Sequence, residues 1–170
     1  MIGKISRQLG RKLKISGTLL VTAESCTGGW VAQAVTSVAG ASGWFERGYV
    51  AYSNAAKRGM LGVPKSILER YGAVSEQTAR AMALGAILRS RGALHRARGT
   101  RRRGGGIIAL AITGVAGPAG GTPGKPVGTV CFAWARGGRM RSETRRFRGG
   151  RSRVRRQSVI HSLRGVLRCL

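Results

Sequence analysis

Aspartate is absent from this sequence, and only five glutamates stand against 31 lysines and arginines. They are Glu24, Glu46, Glu69, Glu76 and Glu143. Without aspartate a Ser-His-Asp triad cannot be assembled, and carboxylate-rich Mg²⁺ or Ca²⁺ sites are disfavoured. A paired-carboxylate glycosidase would have very few residues to draw on. Histidine occurs twice and cysteine three times, at Cys26, Cys131 and Cys169, with no paired spacing. That argues against a disulfide framework and against a metal site, and leaves buried or free thiols as the default. No apolar run approaches the ~20 residues of a membrane-spanning helix. The basic start Met1-Ile2-Gly3-Lys4 leads into no continuous apolar stretch with a small-residue cleavage site. A cytoplasmic protein without a membrane partner is the expectation. Hydrolytic chemistry here must be built from hydroxyls, lysine or arginine, and backbone amides.

What is present is enough for one domain spanning residues 1–170, with 42% hydrophobic residues to build a core. The net charge of +26 attracts phosphates, nucleotides and nucleic acids over long range.

Apolar residues at Ile2, Ile5, Leu9 and Leu13 predict a first helix over 2–15, ended by Gly17. Residues 18–23 read as a buried strand, and Gly28-Gly29 opens a helix over 30–38. A strand is expected around 48–53. Asn54 is a candidate N-cap for a helix that carries Lys57 on its first turn. Residues 65–71 and 77–91 read as helices, and 107–113 as a strongly buried strand. The stretch 91–106 is rich in Arg and Gly and reads as a flexible basic loop. Two strands, 127–135 and 139–147, flank the hairpin turn Arg136-Gly137-Gly138, and a helix covers 152–170. Helices alternating with strands early and a hairpin late predict an α/β domain with a mixed sheet covered on both faces.

Three segments could carry chemistry. In Glu24-Ser25-Cys26-Thr27-Gly28-Gly29 a hydroxyl sits between a strand and a glycine-opened helix, where unpaired amides can hold a phosphate or an oxyanion. The same residues also make an ordinary strand–helix turn with Ser25 or Thr27 as a cap. Lys57 is either a solvated lysine or, if buried beside Ser25 with its pKa depressed, a base; Tyr52 could orient it. The loop Thr113-Gly114-Val115-Ala116-Gly117-Pro118 either cradles a substrate with its amides or is simply shaped by its glycines and proline.

The order of these pieces resembles the CinA C-terminal domain family. Glu-Ser-Cys-Thr-Gly-Gly is followed by Tyr52-Ser53-Asn54-x-x-Lys57, Leu61-Gly62-Val63, Gly72-Ala73-Val74-Ser75-Glu76, Thr113-Gly114-Val115-Ala116-Gly117-Pro118 and Lys125-Pro126-Val127-Gly128. The resemblance covers roughly residues 19–170 and implies a three-layer α/β/α sandwich. It implies hydrolysis of the carboxamide of nicotinamide mononucleotide to nicotinate mononucleotide and ammonia, by a serine–lysine mechanism without cofactor or metal. By motif, Ser25 would be the nucleophile, Lys57 its base and Tyr52 the support of Lys57. Cys26, Thr27 and Gly28 would supply oxyanion amides. Thr113, Gly114 and Gly117 would line the pocket, and Arg151 would bind the phosphate. Relatives further suggest self-association into a homo-oligomer. Two departures stand out: the family's Gly-Asp-Arg has become Gly149-Gly150-Arg151, and residues 96–106 are inserted before a strand.

A reading from another class is an inactive protein of the same fold that binds nucleic acid non-specifically through its basic surface. Arginine runs are more often solvated faces, and no aromatic interleaving for base stacking accompanies them.

Overall fold

Leu19–Glu24 (β1) is buried at all six positions, as a strand covered on both faces must be. A computed structural model of the chain describes residues 1–97 and 106–170, with the backbone alone for 92–97. Around β1 a five-stranded mixed sheet is ordered β2-β1-β3-β4-β5, with β2 Phe45–Val50, β3 Ile107–Gly114, β4 Thr129–Arg136 and β5 Arg139–Arg146. Strand β1 runs parallel to β2 and β3, while β3–β4 and β4–β5 are antiparallel. The β4–β5 turn is Gly137-Gly138, both at positive φ, as a tight two-residue hairpin requires.

The two faces of the sheet differ in side-chain size. Ile108, Leu110, Ile112, Phe132 and Trp134 point to one face. There they meet α1 (Ile2–Ser16), α2 (Trp30–Thr36) and α6 (Arg151–Arg168) through Leu9, Leu13, Val31, Val154 and Leu163. Ala109, Ala111, Ala133 and Ala135 point to the other. These small residues admit α5 (Glu76–Ala97), which brings Met82, Ala83 and Ala86 onto the sheet. Helices α3 (Asn54–Leu61) and α4 (Lys65–Tyr71) complete that layer. The α/β/α sandwich expected from the sequence is therefore the observed fold.

Several boundaries differ from the sequence reading. Helix α5 continues through residues 91–97, where the composition predicts the start of a loop. Arginine, alanine and leucine all favour helix, and an arginine-rich segment without proline can extend a helix already started. Residues 98–105 lie outside the described part. The N-cap of α3 is Ser53, whose Oγ accepts the amide of Ala56 at 3.0 Å, and Asn54 is the first helical residue. Strand β2 begins and ends three residues earlier than expected. Its last tie to the sheet is the Ala51 amide to the Glu24 carbonyl at 2.9 Å, after which the chain leaves to start α3.

Candidate active site

The carboxyl ends of β1 and β3 lie side by side, where open α/β sheets commonly carry their sites. Ser25 follows β1 directly, and its amide is still held by the Ile112 carbonyl of β3 at 2.9 Å. Helix α3 turns Lys57 inward onto this point. Lys57 Nζ lies 3.1 Å from Ser25 Oγ, 2.9 Å from the Tyr52 carbonyl and 3.2 Å from the Ala51 carbonyl. Lys57 is 1% exposed and Ser25 7%. Among the described residues no carboxylate pairs with Lys57. Burial lowers the amine below the ordinary lysine range, opposed only by an ionised Cys26. That opposition is absent at neutral pH, because burial pushes the Cys26 thiol up to about 12. The sequence left Lys57 between a solvated and a buried residue, and the fold places it inside, against Ser25.

Ser25, Cys26, Tyr52, Lys57, Thr113, Gly114, Gly117 and Arg151 all line one cleft of about 260 Å³, joined by Ala73, Val74, Ala119 and Gly120. Thr113 is fixed in the wall by its hydroxyl donating to the Ala73 carbonyl at 2.7 Å. Gly114 has no room for a side chain, since a Cβ there would sit 2.8 Å from the Thr129 carbonyl oxygen. Arg151, at the start of α6, donates to the Gly117 carbonyl at 2.9 Å and to the Tyr52 hydroxyl at 3.4 Å. It thus has two neutral partners where the family's neighbouring aspartate is missing. Tyr52 touches Lys57 through its backbone carbonyl, and its phenol lies outside with Arg151.

Thr27 and Gly28 are not in the cleft wall. Thr27 is fully buried with its hydroxyl unpartnered, and Gly28, at φ +61°, closes the turn by donating its amide to the Ser25 carbonyl at 3.0 Å. The helix-start amides suggested by the sequence are also occupied. Glu24, 1% exposed, accepts the amide of Val31 at 3.0 Å and that of Ala32 at 2.8 Å. A carboxylate at a helix N-terminus is favourable in charge as well as in hydrogen bonding, so this end of α2 is already neutralised. Of the amides following Ser25, those of Cys26 and Thr27 make no backbone–backbone hydrogen bond within the described chain. Glu24 stands in the motif, but local pattern assigns it no task. Nor does local pattern single out Arg155, one turn beyond Arg151, which donates to the carbonyls of Cys26 and Thr27 at 3.1 and 2.8 Å.

Among the described residues no three His, Cys or Glu side chains gather as metal ligands, and no helix is long and apolar enough to cross a membrane. The chemistry available in the cleft is that of a hydroxyl activated by a desolvated amine. Cys26 is a poor rival, being 5% exposed and held protonated by burial. Iodoacetamide at neutral pH should leave Cys26 unmodified in the folded chain, as peptide mass mapping can read.

A family model described as CinA C-terminal domain matches residues 3–170. Nicotinamide-nucleotide amidohydrolase PncC of Pseudomonas putida is 46% identical over 166 residues, covering 98% of this chain and 95% of that protein. The crystal structure of a CinA superfamily protein from Escherichia coli superposes with a TM-score of 0.89 at 35% identity, covering 100% of this chain and 91% of that one. That of the competence/damage inducible protein CihA from Agrobacterium tumefaciens gives 0.86 at 40% identity, covering 98% and 93%. With the ordered motifs, the sandwich fold and the cleft in agreement, this chain belongs to the CinA C-terminal domain family.

Proposed function

We propose that this chain is an amidase that hydrolyses the carboxamide of nicotinamide mononucleotide to nicotinate mononucleotide and ammonia, with Ser25 as nucleophile and Lys57 as its base. The observation that carries the reading is the buried Lys57 Nζ at 3.1 Å from Ser25 Oγ, with two backbone carbonyls as its other partners. The substrate comes from the names of the relatives, such as the Pseudomonas putida amidohydrolase.

The hydrogen-bond count explains how lysine serves here. A neutral amine has two N–H groups and one lone pair. The carbonyls of Ala51 and Tyr52 accept the two hydrogens, which leaves the lone pair for the Ser25 hydroxyl. Ser25 Oγ then bonds to the carboxamide carbon, its proton passes to Lys57, and the carbonyl oxygen takes the negative charge. The resulting ammonium has three N–H groups for the same three acceptors, so the proton moves without rearranging the site. Lys57 next gives the proton to the departing nitrogen, the C–N bond breaks, and ammonia leaves an acyl-Ser25. Water attacks the ester with Lys57 again taking a proton, which releases the acid and restores Ser25. The amides of Cys26 and Thr27, which have no backbone acceptor, are the donors suited to the oxyanion.

Arg151 at the rim, hydrogen-bonded to a carbonyl and a hydroxyl and to no carboxylate, is suited to the substrate phosphate. Arg151→Met is expected to raise KM for nicotinamide mononucleotide about tenfold or more while kcat stays within about threefold, the size of one charge-assisted contact. The phosphate-free nucleoside should not distinguish the two proteins in the same assay.

The test of the function itself is ammonia release by the purified chain, with product identified by mass spectrometry. Stoichiometric ammonia and nicotinate mononucleotide are expected, and no release at high enzyme concentration would overturn the reading.

A further inference from the structure

Two consecutive peptide planes at the nucleophile turn are held from behind by one guanidinium. Arg155 Nε donates to the Cys26 carbonyl at 3.1 Å and Nη2 to the Thr27 carbonyl at 2.8 Å. The guanidinium also lies over the Trp30 ring, 5.5 Å from its centre. Arg155 is outside the cleft wall, to which Ser25 and Cys26 belong. In a trans peptide the N–H is directed opposite to the C=O of the same plane, and the cis bond of the described chain lies elsewhere, at Gly117-Pro118. A Cys26 carbonyl fixed toward Arg155 therefore fixes the Thr27 N–H away from it, on the face of the turn opposite the guanidinium. The preceding plane obeys the same logic by another device. The Ser25 carbonyl is held by the Gly28 amide at 3.0 Å, which sets the direction of the Cys26 N–H.

The Thr27 carbonyl also accepts the Trp30 amide at 3.2 Å, whereas the Cys26 carbonyl is held by Arg155. The Thr27 hydroxyl is buried without a partner, and the Cys26 thiol makes no hydrogen bond to the backbone of a neighbour. Helix α2 is occupied by Glu24. Gly28 is required by its backbone, at φ +61°, and not by crowding against Arg155. Resting on the amidase reading above, we infer that Arg155 is the positioning residue of the oxyanion site: it touches no substrate, and it aims the Thr27 amide at the oxygen that becomes charged. Preorganised donors matter because they need not turn as charge develops. Arg151 and Arg155 thus divide the labour along one face of α6, the first at the substrate's phosphate and the second behind the reacting carbonyl.

The test compares the native chain with Arg155→Lys and Arg155→Ala, each in full length and each with its thermal unfolding recorded. Two readouts are used. The first is steady-state amide hydrolysis. Arg155→Ala should lower kcat about 10–100-fold, somewhat less than deleting an oxyanion donor outright, with KM within about threefold and the pH dependence of kcat/KM unmoved. Methylguanidinium added to Arg155→Ala should restore part of kcat. Arg155→Lys, which keeps the charge but not the two-pronged grip, should fall between the two. The second readout does not need the amide substrate. A small fluorophosphonate is followed by mass spectrometry as Ser25 Oγ bonds to phosphorus, fluoride leaves and the proton goes to Lys57. Its labelling rate should fall in the same order, because the phosphoryl oxygen uses the same amides.

Labelling that slows in the variants of a chain inactive on nicotinamide mononucleotide would support the role of Arg155 and refute the substrate. A native chain whose Ser25 is not labelled would overturn the role. So would Arg155→Ala with native kcat and labelling rate. So would a loss confined to KM, or one that tracks a lowered unfolding temperature in Arg155→Lys and Arg155→Ala alike without rescue.

Discussion

Ser25→Ala is expected to abolish ammonia release from nicotinamide mononucleotide, with kcat reduced by at least roughly 10⁴-fold, as for nucleophiles that act as a unit with their base. The size follows from the lack of a substitute. Cys26 is the adjacent nucleophilic atom, but it is buried and its thiol is pushed up to about 12, so almost none is ionised at neutral pH. Lys57 hydrogen-bonds to Ser25 and to two carbonyls, not to Cys26, so the thiol has no base either. Binding should survive, because Ser25 contributes only a hydroxyl to a cleft whose other walls come from β3, the 115–120 loop and α6. Calorimetric titration with nicotinamide mononucleotide should give a Kd within a few-fold of the native one. Activity in Ser25→Ala above about a tenth of native would place the nucleophile elsewhere.

The second large effect belongs to Lys57→Met. Methionine matches the length of the lysine side chain, so the buried space stays filled while the base is gone. Loss of a positioned general base costs about 10²–10⁴-fold in kcat, and the variant should sit in that range. Its pH behaviour is more telling. Burial holds Lys57 below the ordinary lysine range, and only the neutral amine can take the Ser25 proton. In the native chain kcat/KM should therefore rise with pH as Lys57 deprotonates, levelling off below the pH at which an exposed lysine titrates. Lys57→Met should lack that limb.

Stability should carry the same signature. Between the lowered folded pKa and the ordinary unfolded one, the unfolded chain binds more protons at Lys57 than the folded chain does. Folding stability therefore rises with pH through this window, and the full cost of burying a charged amine is present below it. Lys57→Met should lose this increment. Urea unfolding at a series of pH values measures it, and equal pH slopes in the two proteins would show that Lys57 is not desolvated as described. The carbonyls of Ala51 and Tyr52 lose their donor in this variant, at roughly 1–3 kcal/mol each if they stay dry, so the comparison rests on the slope and not on absolute stability.

Particular residues show where sequence reading worked and where it stopped. The buried strand at β1, the Gly137-Gly138 hairpin and the helix at 65–71 follow from short-range patterns, and the sequence contained all that was needed to find them. Ser53 rather than Asn54 caps α3 because both residue types make good caps, and the choice depends on where the chain leaves β2. The end of α5 was misread because arginine favours helix as readily as it marks a basic loop. Arg155 was hidden by the composition itself. In a segment with arginines at 151, 153, 155 and 156, nothing local singles out the one that turns toward residues about 130 positions earlier. Glu24 shows the converse, a rare residue in plain view whose partners, the Val31 and Ala32 amides, are defined only once α2 has folded back over β1.

By itself the sequence determined the chemical vocabulary: no aspartate, few glutamates, one serine in a glycine-bounded turn and one lysine in a motif 32 residues later. Composition and local order decide which groups exist and which elements they sit on, because propensity and hydrophobic period act over a few residues. The tertiary structure alone decided the state of those groups. It buried Lys57 against Ser25, filled the α2 amides with Glu24, moved Thr27 and Gly28 out of the cleft wall, and set Arg155 behind the turn. These are matters of desolvation and of which hydrogen-bond partners are already taken. Both depend on packing between segments far apart in the chain, which no short stretch of sequence specifies.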